Sequence, residues 1–195
     1  NLPANRHAEY LLVIDLPEAL RHKIEKARSH LLETYRIPQP PTGRPHISLA
    51  RFTVPLRVED KLIDRLHQIA MEAKPFLVEL QDYGSYPMHA IFIRIANQPL
   101  IIELIKRFKA ARPLMKLAGE DPHFILDPNI ALAGRIPRDL YLEAMKEYAQ
   151  KSFHGRFVAE ACWLLKKEEG EKRYQILRRF SFDAVPAQQQ GLLFG

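Results

Sequence analysis

Only one cysteine, Cys162, occurs in this chain of 195 residues. A disulfide framework within the chain is therefore excluded, and such usage fits a reducing compartment, so a cytoplasmic setting is expected. Cys162 lies in an apolar run and reads as a small core or strand residue rather than a nucleophile. No apolar run approaches the roughly 20 residues of a membrane span, and no secretory signal is visible. P-loop, dinucleotide-binding glycine pattern and nucleophile elbow are all missing. His7, His22, His30, His67, His89 and His154 are scattered, without the spacing of a metal cage. Neither a metal nor a cofactor is expected.

The composition that remains is that of a globular protein. Hydrophobic residues make up 47% of the chain, enough to fill a sizeable core. The net charge is +6 and the pI about 9.5, a balance that leans toward polyanions such as RNA or nucleotides. The charged run "LLKKEEGEKR" reads as a solvated hairpin tip. "YRIPQPPTGRP" (35–45) reads as a stiff loop, and "AQQQGLLFG" as a terminal tail.

Periodicity gives an order that occurs twice. A β-like run at 10–17 precedes a helical stripe of Leu20, Ile24, Ala27 and Leu31. A strand at 46–54 precedes a stripe of Ile63, Leu66, Ala70 and Ala73, and a strand follows at 76–87. The order restarts with a strand at 90–96 and a helix through Leu100, Ile101, Leu104, Ile105 and Phe108. A strand at 129–136, a helix at 138–149 and a hairpin of 156–165 with 174–182 complete it, with Gly170 in the turn. "PHISLA" and "PNIALA" start at 45 and 128, "FLVEL" and "FVAEA" at 76 and 157, and "LVIDLPEAL" and "FIRIANQPL" at 12 and 92. Three pairs in register predict a duplicated α+β fold. It is a single bilobal domain over 1–195 with repeats at about 8–87 and 90–182. Two pseudo-symmetric lobes, each a mainly antiparallel sheet packed with helices, would flank a central cleft, the default place for a ligand.

The strand "RPHISLARF" (44–52) carries the most chemistry. Alternate residues of a strand share a face. If Ile47 and Leu49 enter the core, His46 and Ser48 point together into the cleft. Imidazole can exchange a proton near neutral pH, and a serine hydroxyl can donate to a phosphate oxygen. Two such strands in a duplicated protein would set two imidazoles across one phosphate. The second frame, "DPNIALAGRI" (127–136), has Asn129 and Ala131 instead. His123, six residues earlier in "DPHFILDPN", is an alternative imidazole that could reach the cleft from a loop. Arg44 and Arg51 flank the first motif, Arg94 alternates with apolar neighbours, and Arg135 lies just beyond the second frame; each is a candidate phosphate clamp. Tyr86 and Phe92 are candidates for stacking a base.

"PHISLARF", "VELQDYGSYPMHAIFIRI" and "RFVAEACWLLKKEEGEKRYQILRRFSF" together resemble the 2H phosphoesterase superfamily, in particular its 2′-5′ RNA ligase-like, cyclic phosphodiesterase branch. The resemblance covers about residues 10–182. That family carries a His-x-Ser/Thr motif in each lobe. The resemblance implies catalysis by His46 and Ser48, with a 2′,3′-cyclic phosphate or 2′-5′ phosphodiester as substrate and an RNA end or small nucleotide as partner. A monomer is expected. Asn129 and Ala131 depart from the second motif, since an amide hydrogen-bonds but does not shuttle a proton. The resemblance thus leaves two outcomes: weakened phosphodiesterase activity, or a non-catalytic RNA-, nucleotide- or protein-binding module on the same scaffold.

Overall fold

The structure, a computed structural model, describes residues 6–38, 41 and 43–184; the tail read at 187–195 and positions 39, 40 and 42 of the Pro-rich loop lie outside them. The first half of the chain runs β1 (His7–Asp15), α1 (Glu18–Thr34), β2 (His46–Pro55), α2 (Glu59–Met71) and β3 (Phe76–Tyr86). The second half opens with β4 (Ala90–Ile95), α3 (Gln98–Phe108), the single-turn α4 (Arg112–Met115) and the two-residue β5 (His123–Phe124). It continues with β6 (Asn129–Ala133), α5 (Arg138–Tyr148), β7 (His154–Ala159), β8 (Ala161–Glu168) and β9 (Gln175–Ser181).

The nine strands form two antiparallel sheets, ordered β5-β2-β1-β8-β9 and β6-β4-β3-β7. This is an α+β fold of two lobes about a cleft. The segments 8–87 and 90–182 do not each build one sheet. β3 leaves the first segment to pair with β4 and β7, while β5, β8 and β9 leave the second to join β1 and β2. Helices cross over in the same way: α1 lies against β6, whereas α3 and α4 lie against β2. Periodicity identifies which side of a strand needs a core, but not which of the two sheets the strand joins.

The apolar stripes reach one shared core. Ile24 and Leu31 of α1, Leu66 and Ala70 of α2, and Ile101, Leu104, Ile105 and Phe108 of α3 are buried, while Leu100 is exposed. Leu62 and Ile69 widen the buried face of α2. Cys162 is fully buried among these residues, and burial pushes its thiol well above the ordinary range. Gly170 takes the left-handed conformation that the tip between β8 and β9 requires.

The expected continuous strand at 156–165 is two strands. Phe157, Ala159 and Ala161 are buried in odd register, then Cys162 and Leu164 in even register. The chain crosses from one sheet to the other at exposed Glu160, whose carbonyl accepts the Phe182 amide at 2.8 Å. Adjacent small residues, Ala161 and Cys162, mark that shift of phase in the sequence.

No helix among the described residues is long and apolar enough to cross a membrane.

Candidate functional site

β2 pairs with β1 so that His46 lies opposite Asp15 and Ser48 opposite Val13. Ile47 and Leu49 are fully buried, which leaves His46 and Ser48 half-buried on the cleft face. His46 Nδ1 is 3.0 Å from the Arg44 carbonyl oxygen. A carbonyl only accepts, so Nδ1 carries the proton and Nε2 the lone pair. Nε2 in turn accepts the Ser48 hydroxyl at 3.1 Å. The base is thus oriented before any ligand arrives.

The four-stranded sheet repeats this arrangement. β6 pairs with β4, Asn129 opposite Arg94 and Ala131 opposite Phe92. Ile130 and Leu132 are fully buried, and Asn129 and Ala131 face the cleft. Asn129 Nδ2 donates to the carbonyl of Asp127, two residues earlier, at 3.2 Å. His46 makes the same two-residue bond to Arg44, so both motif side chains are anchored alike. The Asn129 amide also donates to the Tyr86 hydroxyl at 3.1 Å, and that hydroxyl donates to the Asp127 carboxylate. Burial and this carboxylate push the Tyr86 phenol up to about 12. Gln98 at the start of α3 donates to the other Asp127 oxygen at 2.7 Å and fixes the loop.

Both strands line one cavity of about 460 Å³, where His46 and Ser48 face Asn129 and Ala131. Arg44, Tyr86 and His123 share its wall. His123 arrives there because β5 pairs with β2, placing it opposite Arg51. Four other candidates lie off this wall. Arg51 lies between Leu11 and His123 on the neighbouring strands and is not among the residues lining the cavity. Arg94 is exposed on the sheet, and Arg135 occupies a left-handed turn position after β6. Phe92 is largely buried, its ring centroid 4.8 Å from that of Tyr86. It supports the stacking candidate rather than lining the cavity itself.

Arg28 and Asp127 are polar wall residues that sequence reasoning missed, and Arg28 is the cationic one. It belongs to α1, in the charged row "RHKIEKARSH", where nothing separates it from solvated neighbours. Its Nη1 donates to the Gly43 carbonyl at 2.9 Å, while its buried Nε has no hydrogen-bond partner among the described residues. Burial lowers the pKa of its guanidinium. An under-satisfied cation at a cavity wall suits an anion. Among the described residues no group of three or more His, Cys, Asp or Glu could hold a metal.

Burial holds His46 below its ordinary value of 6.5; the Arg44 carbonyl raises it, the Arg28 charge lowers it further, and Asp15 raises it. The imidazole is therefore neutral near pH 7. An NMR titration of the His46 ring should give a midpoint below 6.5, and Arg28→Gln should move it upward by removing a nearby positive charge. An unchanged midpoint in that variant would contradict the placement of Arg28.

Gly84 keeps the opposite wall in place. A Cβ there would sit 2.4 Å from Phe92 Cε2 and 2.9 Å from Arg94 Nε. Gly84→Ala should cost about 1–3 kcal/mol by overpacking, read as a lower denaturation midpoint.

Residues 16–171 match the family model described as the 2′-5′ RNA ligase superfamily. No curated protein sequence matches the chain. The crystal structure of TT0787 from Thermus thermophilus superposes with a TM-score of 0.68 at 20% identity, covering 90% of this chain and 98% of that one. E. coli LigT complexed with 3′-AMP gives 0.66 at 18%, over 92% and 100% of the two chains. LigT complexed with phosphate gives 0.65 at 17%, with the same coverage. At these identities the likeness is one of fold.

Proposed function

The chain belongs to the 2′-5′ RNA ligase superfamily, and from that premise we propose that it acts on a 2′,3′-cyclic phosphate or a 2′-5′ phosphodiester of RNA or nucleotides, with turnover held low by Asn129 and Ala131. One observation carries this reading. The lone pair of His46 Nε2, beside the Ser48 hydroxyl, lines the cavity that Asn129 and Arg28 also line. E. coli LigT has been crystallised with 3′-AMP and with phosphate, which favours an anionic phosphate with a nucleoside as the occupant.

In this mechanism Ser48 turns its hydroxyl from Nε2 to a phosphate oxygen. Nε2 then takes the proton of a water whose oxygen attacks phosphorus. The bond from phosphorus to the leaving oxygen breaks, 2′ or 3′ in the cyclic phosphate and 2′ or 5′ in the diester, and that oxygen needs a proton. Arg28 and Arg44 offset the charge that builds on the phosphoryl oxygens. An imidazole at position 129 would protonate the leaving oxygen, but an asparagine amide has no proton to give at neutral pH. Solvent must do so, and losing a positioned acid slows such reactions by on the order of 10²–10⁴.

His123 favours a second reading, since it lines the same cavity. In that reading its imidazole is the acid, and His123→Gln slows turnover as severely as loss of His46. If solvent is the acid, the same variant changes little.

The test is to incubate the protein with a 2′,3′-cyclic nucleotide and with a 2′-5′-linked dinucleotide and to separate the products. Slow ring opening or diester cleavage is expected. No turnover, together with no preference between cyclic-phosphate and hydroxyl RNA ends in binding, would leave a non-catalytic module that recognises something else.

A further inference from the structure

A second cavity, about 490 Å³, lies over the cleft face of the five-stranded sheet and adjoins the first, with Arg44 and His46 in both walls. Its floor is apolar. Val13, Trp163, Leu165 and Ile176 surface it, and Ile176 is 52% exposed although it belongs to a paired strand. The strand register explains this floor. Ser48, Val13 and Trp163 are direct neighbours across β2, β1 and β8. Trp163 is therefore two strand spacings, about 10 Å, from the backbone of the catalytic serine. One indole and one serine hydroxyl thus sit in a single row, on the same face of the same sheet.

The rim is cationic. Lys167 pairs with Glu9 at 3.4 Å, and Arg44 with Asp15 at 3.4 Å. Lys172 and Arg173, from the hairpin between β8 and β9, line the same wall and form no ion pair among the described residues. An exposed apolar floor costs free energy in water unless something flat and apolar covers it. Unpaired cations at its edge select an anion. A nucleobase on a sugar-phosphate chain supplies both, and the continuity through His46 supplies the connection.

We propose that this cavity receives the nucleoside adjoining the phosphate at His46, with its base stacked on Trp163 and the next phosphate of the strand between Lys172 and Arg173. The substrate is then an oligonucleotide, bound better than a mononucleotide carrying the same reactive phosphate. This rests on the phosphodiester reading above, but it is measured by binding and not by turnover.

Trp163 is the chain's only tryptophan, so its fluorescence reports on this cavity alone. The full chain is mixed with a 2′-5′-linked adenylate trimer, or with inorganic phosphate, and followed in the first seconds before turnover. The trimer should quench the tryptophan; phosphate should bind without quenching. By anisotropy with a labelled trimer, Trp163→Ala should weaken binding about 5- to 100-fold, the loss of one stacked base, and Trp163→Phe should recover most of it. The affinity for inorganic phosphate should stay the same in both. Lys172→Glu with Arg173→Glu, at the exposed hairpin, gives an independent reading should the alanine variant not fold. It should weaken the trimer by at least about tenfold and reduce the salt dependence of trimer binding. Trimer affinity unchanged in these variants, or equal quenching by phosphate alone, overturns the proposal. Quenching by the trimer without any cleavage would sustain this site while removing the catalytic reading. Ring opening of a cyclic mononucleotide that is indifferent to Trp163, together with unchanged trimer binding, would do the reverse.

Discussion

Replacing His46 with alanine is expected to lower the rate of cyclic-phosphate ring opening by about 10²–10⁴-fold. The expectation follows from the position of Nε2. It is the cavity-facing nitrogen, held as a lone pair by the Nδ1 bond to the Arg44 carbonyl, and neutral near pH 7 because burial disfavours the imidazolium. Ser48 cannot replace it, since a hydroxyl is a poor base at neutral pH. The fold should survive. Ile47 and Leu49 anchor the strand from the other face, and the imidazole contributes to the cavity rather than to the core. A thermal midpoint close to that of the parent protein, with turnover reduced, is the result to look for. Turnover that is unchanged in a folded variant would remove His46 from the chemistry.

The second large effect runs in the opposite direction. Asn129→His combined with Ala131→Thr should raise turnover by at least about tenfold, a conservative share of what a positioned acid supplies. Asn129 already donates to the carbonyl two residues before it, as His46 does. An imidazole at 129 can use the same bond through Nδ1, which turns Nε2 into the cavity opposite His46. Ala131 is exposed there, and threonine suits a strand. The cost is the bond from the Asn129 amide to the Tyr86 hydroxyl, 3.1 Å in the parent. Tyr86 keeps its Asp127 partner, so the loss is local. Measuring kcat for the cyclic nucleotide in the parent and the double variant decides the matter. A folded double variant that gains nothing would mean that the two strands do not act on one phosphate.

Much of this site was legible in the chain itself. "HISLARF" and "NIALA" alternate with period two, and that period alone puts His46, Ser48, Asn129 and Ala131 on faces opposite their buried neighbours. The helical stripes were equally plain, because α2 and α3 bury residues at the spacing of one face. What periodicity could not convey was partnership. β3 and β8 each satisfy an apolar face in the sheet of the other segment, and no local signal says so. β5 is only two residues long, too short for any period, yet it carries His123 to the cavity. Arg28 is one charge among many on α1 until tertiary packing buries its Nε. Arg94 stands across from Asn129 in the strand pairing but outside the cavity lining, and Arg135 takes a left-handed position in the turn after β6; spacing in the sequence separates neither from a lining residue.

A crystal structure of the protein with a non-hydrolysable 2′-5′-linked dinucleotide would show whether β2 and β6 hold one phosphate between them. The bridging phosphate is expected within hydrogen-bond distance of His46 Nε2 and Ser48 Oγ, between β2 and β6, with Arg28 or Arg44 on its oxygens. A dinucleotide held elsewhere on the surface, with the cavity between His46 and Asn129 left without phosphate, would contradict it.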